Sequence, residues 1–106
     1  MSEIVITDDA AAQRLTAAVD GTAAGLIDYS IAGTRYVIRH TEVFPAFEGT
    51  GVGSALVRFA LDDVRARDGF EVVPICPFAA AWIMRHPEYA ELVTPSMRGQ
   101  FEQQGS

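Results

Sequence analysis

The clearest alternation of apolar and polar side chains runs from Gly25 to Ile31. Ile27, Tyr29 and Ile31 share one face and Asp28 and Ser30 the other. A period of two predicts a half-buried strand. Before it, Glu3 to Thr7 carries the β-branched run Ile4, Val5, Ile6, and residues 14 to 19 read as a second strand. Asp20-Gly21 supplies a hairpin turn, because both residues tolerate positive φ. Ala32-Gly33 is the next turn, and Arg35 to Val43 the fourth strand. The first 43 residues therefore predict an antiparallel meander.

After residue 51 the period lengthens. Val52, Leu56, Phe59, Ala60 and Val64 form a broad apolar arc, with Ser54, Arg58, Asp62 and Arg65 opposite, as expected of an amphipathic helix. Asp63 falls inside the apolar arc and breaks the pattern. Asp68-Gly69 ends the helix, with glycine near the C′ position. Phe70 to Ile75 predicts a short buried strand in which Pro74 marks an edge, a bulge or a break in pairing. Pro77 starts a second helix in its first turn, running to about Arg85 before Pro87 stops it. The order β-β-β-β-α-β-α is α+β: a meander, then a βαβ unit of right-handed default, then a C-terminal helix, on a single mixed sheet. Residues 1–93 form one domain; 94–106 read as a polar, loose tail that Phe101 alone is too little to anchor.

Composition narrows the class. The chain has 106 residues, 49% apolar and 21% charged, as in an ordinary globular domain. No apolar run approaches the roughly 20 residues that span a bilayer. The start, MSEIVITDD, lacks the basic-then-apolar pattern of a signal peptide. One cysteine, Cys76, excludes an internal disulfide, and a cytoplasmic location is the expectation. The net charge is −6, and all eight cations are arginines. Such an acidic chain argues against nucleic-acid binding, which needs basic patches. Neither nucleic acid nor membrane is expected as a partner, and the chain is expected to be a monomer or weak homodimer.

Three glycines, Gly49, Gly51 and Gly53, lie between the fourth strand and the first helix. They read either as a simple turn or as a cradle for an anion. The second reading gains from context. At a strand-to-helix junction in a βαβ unit, free backbone N–H groups and the positive end of the helix dipole converge. A dinucleotide-binding unit would instead begin at the first strand. With no lysine in the chain, a Walker-type phosphate loop is excluded.

The order of elements and the run Glu48-Gly49-Thr50-Gly51-Val52-Gly53 resemble the GCN5-related N-acetyltransferase (GNAT) superfamily, whose Gln/Arg-x-x-Gly-x-Gly/Ala motif binds the pyrophosphate of acetyl-CoA. His40-Thr41-Glu42-Val43, the glycine run, Pro74-Ile75-Cys76-Pro77-Phe78 and His86-Pro87-Glu88-Tyr89 resemble, in that order, its small stand-alone subfamily. The likeness spans about residues 3 to 93. It implies a GNAT-like fold, acetyl-CoA as co-substrate without a metal, and transfer of acetyl to an unidentified amine. It also implies that Gly49, Thr50, Gly51, Val52, Gly53 and Ser54 hold the pyrophosphate, and that the backbone near Thr41 and Val43 pairs with the pantetheine arm. Glu48 departs from the broad motif by standing where Gln or Arg is usual. Arg58, Arg85 or His86 are compensating phosphate contacts, or simply solvated surface.

Acetyl transfer needs a neutral amine, a polarised thioester carbonyl and a proton for the leaving thiolate. Cys76 reads either as a small core residue or, just before a helix, as the acid or nucleophile of the reaction. His40 and Glu42, at i and i+2, share a strand face and form either a proton-accepting pair or a structural bond before Pro45. Tyr89 is a packing tyrosine or a general acid; Trp82, Phe78 and Ile83 are core. His40, His86 and Cys76 make no credible metal site. The reading from another class is a non-catalytic acyl-CoA-binding module, a sensor or partner subunit. Nucleotide binding at the glycine loop is a third.

Overall fold

The computed structural model describes residues 3–97. Five strands form one sheet in the order β1-β2-β3-β4-β5: β1 Ile4–Asp9, β2 Arg14–Val19, β3 Thr22–Ala32, β4 Arg35–Val43 and β5 Glu71–Pro74. The first three pairings are antiparallel and β4–β5 is parallel. The helix α1, Val52–Ala66, makes the crossover between β4 and β5; α2, Pro77–Arg85, follows β5. Short 3-10 turns at Pro45–Phe47 and Pro87–Leu92 complete the order. The mixed sheet and α+β order are those expected.

The meander forms because its turns and faces agree. Asp20 and Gly21 both take positive φ, +51° and +82°, as the tight β2–β3 turn requires. In β3, Ile27 and Tyr29 are buried, with Asp28 and Ser30 half-buried opposite. Leu15, Ile27, Tyr36 and Ile38 from the strands meet Leu56, Val57, Ala60 and Leu61 of α1, all fully buried. Each such Leu or Ile contributes about 1.5–3 kcal/mol of apolar burial. Both helices contribute to this one core, and the molecule measures 38 × 32 × 20 Å. The short dimension corresponds to two layers of about 10 Å each. The second sheet face, carrying Val5, Arg14, Thr16, His40 and Glu42, is exposed.

The α1 pattern holds with two refinements. Phe59, placed in the apolar arc, is 38% exposed at its margin. Asp63 is partnered: Arg67, one turn on, donates Nε–H to its carboxylate at 3.2 Å. The helix ends at Ala66, with Arg67 extended as its cap and Gly69 at φ +80° just beyond.

A β-bulge decides which residues of β4 face the helices. Tyr29 pairs with Ile38 but Asp28 pairs with His40, so Arg39 is the extra residue. Ile38 is buried on the helix face, and strict alternation would put His40 there too. The inserted residue reverses the parity. Thr41 and Val43 take the helix side; His40 and Glu42 point out on the open face.

Val93 forms a parallel bridge with Val72 of β5. Thr94, first residue of the polar stretch, is buried. Its N–H donates to Val72 O at 2.9 Å and its hydroxyl to Glu71 Oε1 at 3.1 Å. Met97 packs against the core and donates its N–H to Thr94 O at 2.9 Å, so the packed chain extends to Met97, while most of the stretch, Phe101 included, lies outside the described residues.

Candidate active site

The site begins where β5 leaves β4. Their register runs only from Arg35↔Glu71 to Ile38↔Pro74. At that point the Ile38 carbonyl accepts from the N–H groups of both Ile75 and Cys76, each at 3.1 Å. Pro74 has no N–H to continue the ladder. His40 to Val43 therefore pair with β3 on one side but have no β5 partner on the other, and the bulge residue Arg39 lies at the point of divergence. His40, Thr41, Glu42 and Val43 all lie on this open stretch. Cys76, 4% exposed, sits at the divergence as the N-cap residue of α2.

On the helix side of this gap is a cavity of about 280 Å³. Its floor is the loop of Glu48, Gly49, Gly51, Val52, Gly53 and Ser54, and its walls are Val43, Phe47 and Phe78. Gly51, the N-cap of α1, is left-handed at φ +88°, and Gly49 has φ +78°. Side chains avoid that conformation, and nothing lies within 4 Å of where either Cβ would be. The loop thus exposes bare backbone at the start of a 15-residue helix, with no side chain capping the first N–H groups. Those donors and the helix dipole suit an anion. Gly53 is glycine for another reason: a Cβ there would fall 2.5 Å from the Phe78 ring.

Ser54 is held from the side. Trp82, 1% exposed, donates its Nε1–H to Ser54 Oγ at 2.8 Å. His86 stacks on the Trp82 ring with centroids 3.7 Å apart and donates Nδ1–H to the Trp82 carbonyl at 2.8 Å. The Arg58 guanidinium lies 5.3 Å from the Trp82 ring centroid.

The residues singled out in the sequence are only partly gathered by the fold. Val43, Gly49, Gly51, Val52, Gly53 and Ser54 line the cavity. Thr50 does not; its hydroxyl donates to the Phe47 carbonyl, and it lines a second cavity with Ile4, Val19, Ala46 and Phe47. Thr41 Oγ1 is buried, with no hydrogen-bond partner among the described residues. His40 Nε2 and Glu42 Oε1 are 3.3 Å apart and both side chains are about half exposed, 55% and 51%. Arg85 is exposed in the last turn of α2 and is not among the lining residues. Glu48 is exposed and is one of the residues that line the cavity. Phe78, expected in the core, is 39% exposed and forms a cavity wall; Phe47 is a wall no local pattern marked. Tyr89 is a packing residue whose hydroxyl donates to Asp62 at 2.9 Å; burial and that carboxylate push its phenol upward from the usual value.

The sequence that builds this glycine-floored cavity is matched by one family model. The model described as GCN5-related N-acetyl-transferase covers residues 14–92. The chain belongs to that family. Acyl transfer is therefore its general chemistry, and the resemblance read from its motifs holds. No curated protein matches the sequence. Among solved structures, nourseothricin acetyltransferase is similar in fold at 20% identity and TM-score 0.53, over 83% of this chain and 67% of that one. N-acetylglutamate synthase from Neisseria gonorrhoeae, solved with coenzyme A and N-acetyl-glutamate, is similar at 16% identity and TM-score 0.56. This chain spans only 23% of that protein's length, and 88% of this chain is covered. Among the described residues no helix is long and apolar enough to cross a membrane, and no group of three metal-ligating side chains gathers.

Proposed function

We propose that the chain is an acetyl-CoA-dependent N-acetyltransferase acting on an amine. The observation that carries the reading is that Val43, on the stretch of β4 that β5 has left, is a wall of the glycine-floored cavity. An anion can sit on the loop while an attached arm runs along the unpaired backbone of Thr41 and Val43. The residues present fit the group: bare N–H donors for a pyrophosphate, and Val43, Phe47 and Phe78 as apolar walls. At about 280 Å³ the cavity is below the roughly 300–1,000 Å³ of enclosed small-molecule sites, so an extended ligand lies partly in the open.

When bound, acetyl-CoA supplies a thioester carbonyl for attack by a neutral amine. The chain's own residues then have three tasks. Backbone N–H groups of the loop hold the anion and fix the position of the arm. The His40–Glu42 pair, on the open face across the gap, takes the proton from an incoming ammonium. Cys76, at the divergence of β4 and β5, either gives its proton to the departing thiolate or would take the acetyl group on Sγ, with coenzyme A leaving as the thiol with the cysteine's proton and Cys76 regenerated when the amine attacks.

Calorimetry with coenzyme A, followed by a thiol-release assay over a panel of amines, tests the reading. Binding with acceptor-dependent thiol release is the expected result. Binding without release for any amine would turn the assignment to an acyl-CoA-binding module. Absence of binding would defeat both, and competition by ATP alone would point to a nucleotide site. Cys76→Ala with unchanged turnover removes that residue from the chemistry. In the native chain, an acetyl adduct on Cys76 after incubation with acetyl-CoA would mark the covalent route, and without lysine there are few competing sites. Glu42→Gln that leaves the pH–rate profile unshifted would exclude Glu42 from proton transfer.

A further inference from the structure

The Ser54–Trp82 bond has a direction, and the direction matters. An indole Nε1–H can only donate, so Ser54 Oγ must be the acceptor. The serine hydroxyl keeps one proton of its own. Serines inside helices commonly give that proton back to a carbonyl one turn earlier. Here Ser54 donates to no protein group among the described residues, and it lines the cavity above the glycine loop. Accepting from Trp82 fills one side of the oxygen and leaves its proton uncommitted to any protein group among the described residues.

Trp82 is itself fixed more firmly than packing alone requires. It is 1% exposed, stacked on His86 at 3.7 Å and 12° between planes, and tilted against Tyr89 at 5.3 Å. The His86 ring also clasps the Trp82 carbonyl at 2.8 Å. These contacts set the position of Nε1, and Nε1 sets the orientation of the Ser54 hydroxyl.

We infer that Trp82 is a positioning residue for the anion site: through Nε1–H it turns the Ser54 hydroxyl proton toward the pyrophosphate of the bound coenzyme. The inference rests on the reading of the cavity given above. It assigns Trp82 a task beyond filling the core, and it adds a side-chain donor to the backbone donors of the loop.

Because Trp82 is the single tryptophan, its indole N–H gives one unambiguous signal in a nitrogen–proton correlation spectrum. Saturation with coenzyme A moves that signal as Ser54 Oγ becomes more basic on donating to the phosphate; pantetheine, which lacks the pyrophosphate, leaves it in place. Trp82→Phe keeps an aromatic ring but removes the donor together with one ring of the indole, so the comparison is made in two backgrounds. The substitution weakens coenzyme A about three- to tenfold, as expected for one misaligned hydrogen bond to a charged group. In a Ser54→Ala background the same change has no further effect, because the relay is already cut. An equal loss in both backgrounds would make Trp82 merely structural and overturn the inference. The spectrum of the unaltered chain decides the matter even where the variant does not fold: coenzyme A bound with an unmoved indole signal refutes the relay alone. A wild-type chain that binds no coenzyme A refutes the parent reading and the relay together.

Discussion

Gly53→Ala separates stability from binding. Gly53 is buried, the second residue of α1, and takes ordinary helical backbone. An added Cβ would lie 2.5 Å from Cζ and 3.1 Å from Cε1 of Phe78, and 3.1 Å from Cγ2 of Val43. The severe contact is with the far end of a side chain that is 39% exposed, so Phe78 can turn away. Driving it from its rotamer costs about 0.5–1.5 kcal/mol. Replacing glycine by alanine in a helix returns up to about 1 kcal/mol. The two nearly cancel, leaving a net change within about 1 kcal/mol, or a Tm shift under about 8 °C. Phe78, however, is a wall of the cavity proposed to hold coenzyme A, and the methyl group itself occupies the space between Phe78 and Val43. Coenzyme A affinity therefore falls by about tenfold or more, the equivalent of about 1.4 kcal/mol. Thermal melting and calorimetry on the same preparation check both halves. Gly25→Ala is the contrast: its Cβ would meet the backbone oxygen of Glu42 at 2.6 Å, which cannot swing aside. That substitution costs about 1–3 kcal/mol by overpacking β3 against β4. The reasoning is refuted if Gly53→Ala destabilises as much as Gly25→Ala, or if it folds normally and binds coenzyme A as tightly as the native chain.

Three further outcomes are expected. Glu48→Gln, which removes the negative charge of an exposed residue lining the cavity, tightens coenzyme A about two- to fivefold at low salt, and the gain fades as ionic strength rises; an affinity that falls would mean the carboxylate helps rather than repels. Tyr36 stacks on Tyr29 at 4.6 Å, is fully buried, and its hydroxyl has no hydrogen-bond partner among the described residues. Tyr36→Phe therefore raises stability by about 1 kcal/mol, and a fall in Tm would show that the hydroxyl is satisfied in solution. The three tyrosines resist ionisation: burial and the Asp8 carboxylate push Tyr29 up from 10.0 to about 12, burial pushes Tyr36 up further, and burial with the Asp62 bond pushes Tyr89 upward. A phenol whose folded pKa lies above its unfolded value contributes stability that is complete below pH 10 and is lost as pH rises through about 12. Tyrosinate absorbance should thus rise together with the loss of circular dichroism; ionisation near pH 10 with the fold intact would contradict this.

The elements of this fold are legible one segment at a time, from local and periodic patterns. Alternation in β3, the 3.6-residue arc of Val52, Leu56, Ala60 and Val64, and the turn chemistry of Asp20-Gly21 fixed the elements and their order. Local physics suffices there, because each segment's burial is written in its own pattern. The glycine loop was legible for the same reason: only bare backbone serves at Gly49 and Gly51, whose φ values are positive. Asp63, an interruption in the sequence pattern, resolves into an ion pair with Arg67 one turn away. Tertiary structure decided the rest. Period two put His40 and Glu42 on one face of β4 but could not say which, since that parity hangs on the bulge at Arg39, a property of the β3–β4 pairing. The departure of β5 after Pro74, which leaves Arg39 to Val43 without a partner on that side, likewise exists only between strands. Phe78 reads as core in an apolar run, yet it becomes a cavity wall because Gly53, 25 positions away, lets α2 approach α1. Trp82 meets Ser54 across 28 positions, through a bond that no local pattern encodes. Contacts of that separation depend on how the helices settle on the sheet, and that is set by the whole core at once.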